Sequence, residues 1–160
     1  MEISINKGIK KKSLQILLVG NNPIELSSLL NQVKDINQYV IQTELAFDVR
    51  SLLDRLKKFK PDFILIDDNI GAKELTETTS YLQTDKKTRE IPVTVLKNSN
   101  YAESVPSDLV IDYLLKKSLT PERLYQNIIN TFRIKQAQKF LKLAYLKRKR
   151  MLKGYMHSLS

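Results

Sequence analysis

The stretch "PDFILIDDNIG", Pro61 to Gly71, runs an apolar segment, Phe63 to Ile66, straight into Asp67, Asp68 and Asn69. A short continuous apolar run bounded by Pro and Gly reads as a strand buried on both faces, as in a parallel sheet. The acids stand where that strand leaves the core. They are either a polar cap on the strand end or part of a site, and the rest of the sequence decides between the two.

Working outward, "LQILLVG" (14–20) is a second such run, and "NNPIELSSLLNQVKDI" after it places Pro23 in a first helical turn with Ile24, Leu26, Leu29, Leu30 and Val33 near helical spacing. "YVIQTELAF" (39–47) is β-branched and aromatic enough for a strand. "DVRSLLDRLKKFK" predicts a helix capped by Asp48, with Leu52, Leu53, Leu56 and Phe59 on one side. Downstream of Asp67, "AKELTETTSYLQTD" is a threonine-weakened helix, and "IPVTVL" (91–96) and "LVIDYLL" (109–115) are two more strands. "TPERLYQNIINTF" opens a last helix with Thr120 as N-cap and Pro121 at the first helical position, its Leu124, Ile128 and Phe132 on one face. Five strands alternating with helices imply an α/β fold with a doubly wound five-stranded parallel sheet. Ligands and chemistry gather at the carboxyl ends of such strands, here just after Val19, Ile66, Leu96 and Leu114.

The chain of 160 residues, 42% hydrophobic, suits one domain with an appendage. It has no cysteine, which excludes disulfides and thiolate metal sites and is compatible with a reducing cytoplasm. The N-terminus lacks a secretory pattern and no run reaches the ~18 apolar residues of a membrane span, so a soluble, cytoplasmic protein is expected. The net charge of +10 is unevenly placed. Nine of the 27 basic residues, and no acid, lie in 133–160, leaving 18 against all 17 acids in the remainder. Three parts are therefore expected: a basic N-terminal segment 1–13, a nearly neutral body 14–132 and a basic helical extension 133–160.

In order and spacing, "ILLVGNNP", "PDFILIDDN", "TREIPVTVL" and "DYLLKKSLTPERL" resemble the receiver domain of two-component response regulators, a flavodoxin-like fold, over residues 14–132. That resemblance implies that Asp67 stands at the position accepting a phosphoryl group from a phospho-histidine donor. Lys116 stands at the lysine contacting the phosphoryl oxygens, and Tyr113 at the aromatic that reports the state. It also implies Mg²⁺, held by the acceptor and an acidic pair after the first strand. Here that pair is Gly20 and Asn21, the hydroxyl position after the fourth strand is Lys97, Lys117 replaces the proline after the conserved lysine, and Gly71 stands near the proline expected after the acceptor. The segment from Lys97 to Tyr113 is short and contains Pro106, so a short or irregular fourth helix is expected there.

These replacements have physical consequences. Mg²⁺ needs carboxylate charge to offset its dehydration. Asp67, Asn21 and Asn69 remain as possible ligands, enough for weak Mg²⁺ or none. With Lys97 and Lys116 both aimed at Asp67, the local charge is near +1, or near zero if Asp68 turns inward. Lys97 is then expected to stand in for the metal and hold Asp67 ionised with a lowered pKa. Two lysines would also neutralise an aspartyl phosphate, so charge alone does not forbid phosphorylation.

Beyond Phe132 no proline interrupts the helix, which is expected to reach Lys153. Ile134, Ala137, Phe140, Leu141, Ala144, Tyr145, Met151, Leu152 and Tyr155 fall within roughly 140° of arc, with basic residues opposite and Leu143 and Leu146 out of place. Lys147, Arg148, Lys149 and Arg150 form a compact basic run. This face can fold onto the body, pair with a second chain as a dimer, track nucleic-acid phosphates, or lie on an anionic membrane or in a partner's groove. His157, the one histidine, has no ligand-type neighbour in sequence, and no nucleophile elbow, P-loop or catalytic carboxylate pair occurs. The reading is of a signalling module rather than an enzyme: an atypical receiver without a small-molecule substrate, working by contact with a sensor histidine kinase or downstream protein. The alternatives are a phosphorylatable response regulator and a basic-tail binder on a receiver scaffold.

Overall fold

The computed structural model describes residues 11–98 and 110–159. The elements are β1 (Lys12–Val19), α1 (Pro23–Lys34), β2 (Tyr39–Ala46), α2 (Val49–Leu56), β3 (Phe63–Asp67), α3 (Ala72–Thr84), β4 (Val93–Lys97), β5 (Val110–Leu115) and α4 (Pro121–Ser158). Short 3-10 turns follow β3 (Asp68–Ile70) and β5 (Lys116–Ser118). The strands form one five-stranded sheet in the order β2-β1-β3-β4-β5, every pair parallel. This is the doubly wound, flavodoxin-like arrangement expected from the sequence, with its switch point between β1 and β3. The short helix expected between β4 and β5 falls outside the described residues.

Alternation along the buried strands divides the core between the two faces. Leu14, Ile16 and Leu18 of β1, with Phe63 and Leu65 of β3, pack under α1 and α4 against Leu26, Leu29, Val33, Leu124 and Ile128. Leu17 and Val19, with Ile64 and Ile66, face the other way toward Leu52 of α2 and Leu75 and Leu82 of α3. Each fully buried Leu or Ile contributes about 2 kcal/mol of burial free energy, so the central strands dominate the stability of the body.

The ends of the elements follow local chemistry. Asn22 caps α1 by accepting from the N–H groups of Ile24 and Glu25 at 3.0 and 3.3 Å. Asp48 and Ser51 cap α2 reciprocally. The third strand begins at Phe63 rather than Pro61, because Pro61 has no N–H to pair. The ladder to β1 is instead opened by Asp62, whose carboxylate accepts from Gln15 N–H at 2.8 Å. Gly71 adopts φ +91°, a left-handed conformation that lets the chain turn from β3 into α3. Thr120 accepts from Arg123 N–H at 3.2 Å to start α4.

That last helix has two halves. Leu124, Asn127, Ile128 and Thr131 are buried against the sheet. Asn127 joins three elements there: its Oδ1 accepts from the Thr94 hydroxyl of β4 at 2.9 Å, and its Nδ2 donates to Asp112 of β5 at 2.8 Å. Lys135 donates to the Arg89 carbonyl at 3.2 Å. From Gln136 to Leu159 every side chain is exposed. The helix runs on to Ser158, past the expected end at Lys153, because a single interior Gly154 costs only about 1 kcal/mol.

Candidate functional site

Parallel pairing brings Asp67, at the carboxyl end of β3, beside β1 on one side and Leu96 of β4 on the other. Asp67 is 3% exposed. Its Oδ1 accepts from the Asn69 N–H at 2.9 Å and lies 2.5 Å from Lys116 Nζ. Lys116 reaches it from the turn after β5. The same ammonium lies 2.9 Å from Glu25 Oε2, so one cation sits between two carboxylates. Glu25 projects from the first turn of α1, where the helix dipole favours a negative charge.

Asn69 organises the mouth of the site. Its Nδ2 donates to Glu25 Oε2, its backbone carbonyl accepts from Asn21 Nδ2 at 3.0 Å, and its Oδ1 accepts from Asn98 Nδ2. Asn98 N–H also reaches Asp68 Oδ2 at 3.4 Å. The other carboxylate oxygen of Asp68 is buried and has no hydrogen-bond partner among the described residues. Beside these groups a cavity of 220 Å³ opens between α1 and the turn after β5, bordered by Glu25, Ser28, Gln32, Asp67, Lys116 and Leu119. A larger groove of 760 Å³, with Lys60 and Tyr81 on its walls, lies by the C-terminal ends of α2 and α3, at the opposite edge of the sheet. Position at the strand ends and converging charge, not size, single out the Asp67 site.

The electrostatics differ from the sequence expectation. Two lysines were expected against Asp67, whereas the ion pair found there among the described residues is with Lys116. Lys97 instead holds its ammonium 4.4 Å from the centroid of the Tyr113 ring. The expected charge near +1 becomes −1 once Glu25 is counted with Asp67 and Lys116. A lowered pKa was expected for Asp67, but burial pushes its carboxyl above the ordinary aspartate value, against the opposing pull of Lys116 and the Asn69 N–H. Glu25, solvated and bonded to Lys116, is held below the ordinary glutamate value. Burial draws the Lys116 pKa down, but its bonds to Asp67 and Glu25 raise it further. Burial also raises Tyr113.

Gly20 and Asn21, where the resemblance led an acidic pair to be expected, offer no carboxylate. A Cβ at Gly20 would lie 2.9 Å from Leu26 Cδ2 and 3.2 Å from Asp67 Cβ, so Leu26 and the Asp67 side chain would both have to shift to admit one. Asn21 is exposed and spends its amide on Asn69. The residues present fit Mg²⁺ poorly. The Asn69 carbonyl and Oδ1 both accept from protein amides, Asp67 Oδ1 accepts from two donors, and a dication would have to displace Lys116. The basic run Lys147–Arg150 lies far along the exposed half of α4, apart from this site.

Glu25 was missed in the sequence because an acid at the third position of a helix with an Asn cap reads as an ordinary first-turn residue. The signal that could have found it was its place in the first turn of the helix that follows β1, next to the strand ends where polar groups gather.

No protein-family model and no curated protein matches the chain, whereas many solved structures do. A putative response regulator from Chloroflexus aurantiacus is 17% identical, with a TM-score of 0.64 over 75% of this chain and 98% of that one. The receiver domain of a sensor histidine kinase from Pseudomonas aeruginosa, solved with a magnesium ion coordinated in its active-site cleft, is 18% identical with a TM-score of 0.61, covering 72% and 94%. The chemotaxis response regulator CheY4 of Vibrio cholerae is 19% identical with a TM-score of 0.59, covering 75% and 99%. The chain has the receiver fold.

Proposed function

We propose that the chain is an atypical receiver module of two-component phosphorelay signalling, a pseudo-receiver with weak or no Mg²⁺-dependent phosphorylation at Asp67. The observation that carries this reading is the shared ammonium of Lys116, bonded to Asp67 and Glu25 together. In-line phosphoryl transfer to a carboxylate relies on a metal to bridge and neutralise the incoming oxygens. Here the acidic pair is absent, a side chain at Gly20 would need Leu26 and Asp67 to shift, and Glu25 occupies the lysine that would otherwise meet the phosphoryl group.

The role played by the metal passes to side chains. Lys116 neutralises Asp67 from within, and Asn69 ties the strand-end loop to α1, so the site rests in one arrangement without an ion. Such a module signals by protein–protein contact, with a sensor histidine kinase or a downstream signalling protein as partner and no turnover of a small molecule. Lys97 and Tyr113 join the ends of β4 and β5 at the surface beside it. The exposed half of α4 is the coupling element, and the cytoplasm is its compartment.

A small phosphodonor tests the reading. Acetyl phosphate with millimolar Mg²⁺ is expected to leave no phosphoryl adduct by intact mass. An adduct that disappears in Asp67→Asn would establish the phosphorylatable response regulator instead.

A further inference from the structure

Beyond Lys135 every described side chain of α4 is exposed, and the side chains displayed there are not those of an inert solvated rod. Phe140 is 72% exposed and Met156 74%, and Leu141, Tyr145, Met151, Leu152 and Tyr155 are likewise open to water. Among them lie nine Lys or Arg from Arg133 onward and no acid. At 100° per residue, Phe140, Met151, Ala144, Tyr155, Leu141, Leu152, Tyr145 and Met156 share about 160° of arc, while Lys142, Lys149, Lys153, Lys139 and Arg150 occupy the opposite side. Leu143 and Leu146 fall on the basic side and Arg148 within the apolar arc.

Three coverings of this face can be weighed on charge. A second copy would set two arms side by side, each all-cationic, so no interhelical Glu–Lys pairs could form and like charges would oppose the seam. Nucleic acid would neutralise the cations but leave Phe140, Met151 and Tyr155 in water. A negatively charged lipid surface meets both needs, taking the apolar arc at the acyl boundary and the lysines at the headgroups. Arg148 is long enough to turn its guanidinium back to a headgroup phosphate. Among the described residues no helix is long and apolar enough to cross a membrane, so the arm would lie in the interface. At 1.5 Å per residue, residues 136–159 span about 36 Å of it.

We propose that the exposed half of α4 is an interfacial membrane helix that docks the receiver-fold body on anionic lipid. The idea stands apart from whether Asp67 is phosphorylated. The full chain is sedimented with vesicles of phosphatidylcholine alone and of phosphatidylcholine with phosphatidylglycerol. Binding is expected to be at least about tenfold stronger to the anionic vesicles and to weaken with salt. Two variants separate the terms: Lys149→Glu/Arg150→Glu and Phe140→Ser/Tyr155→Ser, each checked for an unchanged thermal melt of the body. Both are expected to lose at least tenfold in binding. Failure to sediment with anionic vesicles would overturn the proposal. So would full binding by the Phe140/Tyr155 variant, which would reduce the contact to charge alone, and so would equal, equally variant-insensitive binding to a short DNA duplex. A concentration-dependent dimer dissolved by Phe140→Ser/Tyr155→Ser would also overturn it, in favour of a second copy.

Discussion

Asp67 and Glu25 compete for one ammonium from unequal positions. Asp67 is almost wholly out of water, whereas the Glu25 side chain is 40% exposed. Burial therefore raises the pKa of Asp67 and Lys116 lowers that of Glu25. In a carboxyl ¹³C titration the midpoint of Asp67 is expected above the ordinary aspartate value and that of Glu25 below the ordinary glutamate value. Opposite signs follow for stability. The raised group, Asp67, contributes stability that is complete below its unfolded pKa and is lost as pH rises through its folded one. The lowered group, Glu25, contributes stability present above its unfolded pKa and lost as pH falls through its folded one. Glu25→Gln removes a like charge beside Asp67, so the Asp67 midpoint should fall; a midpoint that stays in place would mean the two carboxylates do not interact. Lys116→Met leaves both carboxylates without their cation. It should cost about 3 kcal/mol in chemical denaturation and raise affinity for Mg²⁺. Gly20→Asp restores an acid in name only. Its Cβ meets Leu26 and Asp67, so a loss of about 1–3 kcal/mol is expected with no gain in Mg²⁺ affinity by calorimetry.

At the scale of elements, α4 carries the division of labour. Asn127, Ile128 and Thr131 fix its first half to the sheet, while the described side chains of its second half are exposed. Most helical stability in proteins comes from tertiary packing, which the exposed arm lacks, so the arm should fray from its far end before the body melts. Removal of residues 136–160 is expected to leave the melting temperature of the body within a few degrees and to reduce helical circular dichroism; a collapse of the melt would mean that the arm packs on the body. The strands were legible because the short runs "ILLV" (16–19) and "FILI" (63–66) are apolar throughout and bounded by Gly or Pro nearby, which favours a twice-covered strand over a helix. The helix starts were legible from Asn22–Pro23, Asp48 and Thr120–Pro121. Glu25 and Lys97 were not. Both are long side chains near strand ends, and which charge each one meets depends on rotamers and neighbours that sequence spacing does not specify. Spacing aimed Lys97 at Asp67, but its ammonium is found over the Tyr113 ring.

For the whole molecule, one body presents two surfaces at a distance from each other: a polar site at the carboxyl ends of β1, β3 and β5, and a basic arm leading away from the sheet. The site has the position and topology of a receiver pocket, but Lys116 there is shared between Asp67 and Glu25, and Asn69 ties Glu25 to the strand-end loop. We propose that Glu25, Lys116 and Asn69 together take the place of the metal. The direct measurement is an NMR titration with Mg²⁺, with and without beryllofluoride, following the amides of Asp67, Asn69 and Tyr113. No saturable shifts are expected at millimolar metal in the wild-type chain. Saturable shifts that vanish in Asp67→Asn and extend into α4 would contradict the proposal and establish a working phospho-switch.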